Sequence, residues 1–198
     1  MAAETDRPFW TQPMTLAVAG LGVLAAWTAL LPDSVRPENL TALGAVALFA
    51  AARLPLRQAA LVLVVALGVK ELGVYLVRGF EPYPPAWLYF AGYFAAGRLF
   101  LTRTESPARI AGTAVGASLV FFLVSNFVSW LEQALPYGYS LAGLVDCYRA
   151  AVPFYRGTLA GDLLYTGVLF GLHAALGRAY FPAERVAAVP VEAERVEG

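Results

Sequence analysis

The stretch ARIAGTAVGASLVFFLVSNFVSWL, residues 108–131, decides how this chain is read. Beyond Arg109 it holds no charged side chain. As a helix it would be about 36 Å long, enough to cross a hydrocarbon core of about 30 Å. It ends in Trp130, an aromatic of the kind that settles at a membrane–water boundary. The stretch therefore predicts a membrane-crossing helix.

Similar runs lie on both sides. Residues 14–31 form an uncharged run stopped by Pro32. A second span covers 39–53, with Asn39 expected as its N-cap. It is short, about 22 Å against the 30 Å core, so it must thin the bilayer, extend into its flanks or be shielded by neighbours. A re-entrant segment is the alternative. The third span covers 57–77 and contains Lys70 and Glu71; the fourth covers 86–101, with Arg98 able to snorkel at its end. The sixth span is 157–181. Between the fifth and sixth, residues 140–154 carry apolar side chains at helical spacing, with Asp146 and Arg149 off the stripe and Pro153 as a stop. That segment is expected to lie flat at the interface.

Composition agrees. Of 198 residues, 59% are hydrophobic and 14% charged, and the mean hydropathy is +0.62. Soluble domains carry about a quarter charged residues, so this chain lacks the side chains to cover a water-facing surface. The expected fold is thus all-α: one membrane domain, 14–181, built as a bundle of six spans. A cytoplasmic segment, 1–13, precedes it, and a disordered tail, 182–198, follows. Net charge is zero, which gives no basic field for nucleic acid. The single cysteine, Cys147, excludes an internal disulfide.

Lys and Arg orient the bundle. With both termini in the cytoplasm, nine arginines fall in inside segments and four in outside segments. That bias predicts a multi-pass cell-membrane protein with cytoplasmic termini and an even number of crossings.

Orientation gives each polar residue a depth. Lys70 and Glu71, Asn126, and Asp162 come from three helices and share the outer half. Glu71 and Tyr75 share a helical face, as do Asn126 and Trp130, and Asp162 and Tyr165. If those faces converge, they form an aromatic-walled pocket with a few polar anchors. Asn126, Glu71 and Asp162 would anchor a ligand. Lys70 or Arg156 would meet an anionic group, and Tyr75, Trp130 and Tyr165 would supply walls. The competing reading is that these groups only join helices to one another. Three GxxxG pairs (Gly112–Gly116, Gly157–Gly161 and Gly167–Gly171) permit close contact, although chance supplies several in so glycine-rich a chain. His173, the only histidine, is expected to pack rather than bind metal. No cofactor is implied. Walker A, HExxH and GxSxG motifs are all missing, which argues against ATP hydrolysis by this chain and against an enzyme.

Several blocks resemble a family of uncharacterised bacterial membrane proteins: residues 121–127 (FFLVSNF) with Trp130, Leu141-Ala142-Gly143-Leu144, Cys147-Tyr148, and residues 153–163 (PFYRGTLAGDL). Asn39-Leu40-Thr41 and Leu48-Phe49 fit the same pattern, so the resemblance covers roughly residues 36–176. That family is similar in turn to the substrate-binding S components of energy-coupling-factor (ECF) transporters. The resemblance implies six helices that bind a vitamin-like small molecule from outside. It also implies partners: a membrane scaffold subunit and a pair of ATPases. The chain departs from the family at Lys70-Glu71, where Ser-Asp is usual, and at Gly157, where Asn is usual. The alternative function is a structural or assembly subunit of a larger membrane complex, without a ligand.

Overall fold

A computed structural model describes residues 39–179, together with the isolated positions Gly20 and Trp27. Apart from those two positions, the expected first span (14–31), the segment 1–13, the tail 182–198 and the last two residues of the sixth span lie outside the described residues. Those described form five helices: α1 (Leu43–Arg53), α2 (Leu56–Arg78), α3 (Pro85–Phe100), α4 (Pro107–Leu131) and α5 (Leu141–Ala179).

The short α1 is the axis. Its sequence, LGAVALFAAAR, is apolar all round, and every residue from Leu43 to Ala52 is buried. A helix without a polar face has no side to turn to water and belongs inside. All four other helices pack on it. Its alanines keep the surface narrow, and its neighbours supply glycines where backbones meet. A Cβ on Gly97 of α3 would collide with the Leu48 carbonyl, and one on Gly161 of α5 with the backbone of Thr41. Neighbouring helices shield α1 along its whole length.

Two arginines lock one end of the bundle reciprocally. Arg53, at the end of α1, donates to the carbonyls of Leu101 and Thr104 just past α3, both at 2.7 Å. Arg98, near the end of α3, donates back to the carbonyls of Ala51 and Leu54, at 3.3 and 3.4 Å. Cations at helix C-termini meet carbonyls with no partner inside the helix. The Arg53 guanidinium also lies 4.8 Å from the centre of the Phe170 ring. Arg98, expected to snorkel, is thus tied to α1. His173 is buried with its ring 5.5 Å from that of Phe49, a packing position.

Helix ends follow local chemistry. Pro55 follows the extended Leu54 between α1 and α2, as proline disfavours a helical residue before it. Ser106 caps α4, its hydroxyl accepting from the Arg109 N–H at 3.4 Å, with Pro107 in the first turn. Asn39 does not cap α1. The N-cap position is Ala42, which offers no side-chain bond, and Asn39 sits outside the helix at φ 57°. Asparagine tolerates that left-handed backbone better than most residues.

The expected separate interfacial helix is corrected. Residues 140–154 do not lie apart from the last span: α5 is one helix of 39 residues running through Pro153. A proline removes one hydrogen bond and crowds one carbonyl, and packing compensates. The Tyr148 hydroxyl donates to the Leu123 carbonyl at 2.7 Å, and the Phe122 and Tyr155 rings pack with centres 4.6 Å apart. The first turns of α5 therefore run back along α4 as the second arm of a helical hairpin.

Two of the helices, α2 and α4, are long and apolar enough to cross a membrane. Only 22% and 11% of their most apolar windows are buried against the rest of the chain, so neither resembles the core helix of a soluble protein. Leu72, Leu76, Leu119, Val120, Leu123 and Phe127 are all exposed.

Candidate ligand site

At the end opposite the arginine lock, five helices meet around a cavity of about 300 Å³. Asn39 and Thr41 contribute from just before α1 and Gly44 from its first turn, Lys70 from α2, and Tyr89 and Tyr93 from α3 with Tyr83 just before it. Phe121, Ser125 and Ser129 come from α4, and Thr158 and Asp162 from α5. A second cavity, about 210 Å³, shares Asn39, Phe121, Ser125 and Thr158 with the first and is lined further along by Asn126 and Tyr155.

Among the described residues, Asp162 is the most deeply placed charged group, 2% exposed. One carboxylate oxygen accepts from the Tyr93 hydroxyl at 2.5 Å. The other lies over Gly44, where a methyl group would collide with it. A glycine in the first turn of α1 is therefore what allows the carboxylate its position. Ser118 is fully buried beside the pair, its hydroxyl short of hydrogen-bond geometry with either. Lys70 forms an ion pair with Glu71 at 2.7 Å, and the other Glu71 oxygen accepts the Tyr83 backbone N–H at 3.1 Å. The Tyr83 hydroxyl donates to Glu132 at 2.7 Å, tying the α2–α3 connection to the end of α4. Burial comes first, and the neighbouring Tyr89 hydroxyl and Glu132 carboxylate add to it, in holding that phenol above the ordinary tyrosine range.

Of the residues expected at the site, Lys70 and Asp162 line the main cavity together. Glu71 stands directly behind Lys70. Asn126 lines the adjoining cavity, its amide donating to the Phe122 carbonyl at 2.8 Å. The others lie elsewhere. Tyr75 and Arg156 are exposed, Trp130 donates to the Gly138 carbonyl and packs on Phe127 and Tyr139, and Tyr165 packs against the core around α1. Sequence reasoning missed Tyr83, Tyr89 and Tyr93. A signal existed in part, since Tyr89 and Tyr93 are four apart and share one face of α3. Among the described residues, no group of three or more His, Cys, Asp or Glu side chains could hold a metal.

Tyr89, Tyr93 and Phe121 also form the back of a larger groove, about 660 Å³, between α3 and α4. Apart from Arg109, Thr113 and the tyrosine hydroxyls, its lining is apolar.

These features define an all-helical protein with two candidate membrane spans and a polar, aromatic-lined cavity at one end of the bundle. The chain belongs to the family of unknown function DUF6580, which matches residues 9–187. No curated protein and no solved structure matches it.

Proposed function

We propose that this is a multi-pass membrane protein that binds a small molecule without transforming it, in the manner of an ECF transporter S component. On this reading the bundle has six crossings and cytoplasmic termini, and the cavity opens to the outside. Ligand captured there would be carried inward by partners, a membrane scaffold subunit and an ATPase pair. One observation carries the reading. Lys70 and Asp162, two ionisable residues from separate apolar helices, line one cavity instead of pairing with each other. Ionisable groups in a bilayer are functional by default, and side chains serving only to join helices would be closed against one another. The bare faces of α2 and α4 support lipid as their surroundings.

The Tyr93–Asp162 bond favours a second reading, in which the polar layer joins α3 to α5 and the protein is an assembly subunit. Thermal unfolding of the purified protein against a panel of vitamins and nucleobases tests the first. Stabilisation that disappears in Asp162→Asn at normal expression supports binding. Loss of expression in that variant, with no stabilisation of the native chain by any compound, supports assembly.

A further inference from the structure

If the cavity is a binding site, as proposed, the donors and acceptors around it specify a chemical class of ligand. Lys70 is neutralised within its own helix. Its ammonium faces Glu71 at 2.7 Å, so its charge is already matched. Asp162 is not matched: among the described residues its hydrogen-bond partner is the Tyr93 hydroxyl, and no cation pairs with it. It sits against the first turn of α1, where the helix dipole favours an anionic side chain. The wall hydroxyls add acceptors. The Thr158 proton goes to the Phe154 carbonyl at 3.3 Å and the Ser125 proton to the Phe122 carbonyl at 3.5 Å, leaving oxygen lone pairs for the cavity. Much of the remaining wall is aromatic. Tyr89, Phe90, Tyr93 and Phe121 lie with ring centres 5.7 to 5.9 Å from one another along the chain of contacts. An unmatched carboxylate, hydroxyl acceptors and aromatic faces together complement a flat cation.

We propose that the cavity receives a flat organic cation rich in N–H donors, of the amidine or amino-heterocycle class, with its N–H edge on Asp162 and its ring against the α3–α4 aromatics. Tyr93 acts as a positioning residue, holding one carboxylate oxygen so that the carboxylate meets the ligand in fixed orientation. The cavity volume of about 300 Å³ fits a body of one or two rings. An anionic ligand would have to displace Glu71 from Lys70 and face Asp162.

Three probes of nearly equal shape separate charge from size: benzamidine, benzamide and benzoate. Each is titrated by calorimetry into the full chain in lipid nanodiscs. Benzamidine is expected to bind more tightly than benzoate by roughly tenfold or more, with benzamide between them. Asp162→Asn should weaken benzamidine by roughly tenfold while leaving benzamide nearly unchanged. Tyr93→Phe should weaken it less. Should Asp162→Asn fail to fold, Lys70→Gln carries the test: it leaves Glu71 without its cation beside the cavity and should tighten benzamidine binding, and unchanged or weaker binding would overturn the cation assignment. Benzoate or benzamide binding as well as benzamidine would overturn the cation assignment while leaving the cavity a binding site. Heats indistinguishable from buffer for all three, with the protein helical and monodisperse, would also overturn it. The vitamin and nucleobase panel then decides separately whether the cavity binds anything.

Discussion

Replacing Gly97 by alanine asks whether α1 is the axis of the bundle. At Gly97 the backbones of α3 and α1 meet: a new Cβ would collide with the carbonyl oxygen of Leu48 and approach its Cα closely. Backbone cannot rotate aside as a side chain can, so the helices must separate. Overpacking of this kind costs about 1–3 kcal/mol, and a backbone contact belongs at the upper end. Alanine regains up to about 1 kcal/mol of helix propensity. The net expectation is a loss of about 1–2 kcal/mol. Gly92, on the same helix, has nothing within 4 Å of its would-be Cβ, so Gly92→Ala should be stabilising by about 0.5–1 kcal/mol. The two substitutions are chemically identical and should have opposite signs. For a chain of this length the spread corresponds to about 3–12 °C in Tm. Circular dichroism of thermal unfolding in dodecylmaltoside micelles measures it. Equal Tm values for the two variants would refute the close packing of α3 on α1.

Arg53→Ala should cost about 2–4 kcal/mol in denaturant unfolding, from two charge-assisted bonds and the Phe170 contact, and Arg53→Lys should restore little of it because one ammonium cannot span both carbonyls. Pro153→Ala should raise Tm, by up to about 3 kcal/mol of stability, since it returns a hydrogen bond to a continuous helix; a lowered Tm would indicate that the helix needs its proline. In a Cys147→Ala background, single cysteines at Tyr139 and Arg103 should react differently with an impermeant maleimide added to intact cells: Tyr139→Cys labels and Arg103→Cys does not. The reverse pattern would invert the proposed topology.

Four of the five helices were legible in the sequence to within a few residues, because Pro55, Gly79, Pro85 and Pro107 punctuate the apolar runs where backbone chemistry demands it. The fifth was divided wrongly. Pro153 looks like a stop in sequence, but whether a helix tolerates proline depends on contacts such as Tyr148 to Leu123, which no local pattern encodes. At the site, Lys70 and Asp162 stood out because charge is rare in apolar helices. Their separation into one ion pair and one unmatched carboxylate was not visible, since it depends on Glu71 lying beside Lys70 and Tyr93 opposite Asp162. Tyr93 itself is one aromatic among many in α3, and only the fold singles it out. The glycine pairs divide: Gly161 of one pair does meet the backbone of Thr41, while Gly167 and Gly171 of another do not touch a neighbour. Gly112 and Gly116 face open space as well, whereas Gly44 and Gly97, which belong to none of the pairs, lie in close contact at α1.

The buried α1 has a consequence for how such a chain would be made. A segment of 11 residues rises only about 16 Å, too short for the insertion machinery to recognise as a span by its own partitioning. It also presents no face to lipid once in place. In a bilayer its entry must wait for the helices that enclose it, most of which are synthesised later. The centre of this protein would then be the last part to settle during biogenesis, and substitutions there should appear first as failed insertion and degradation of the newly made chain.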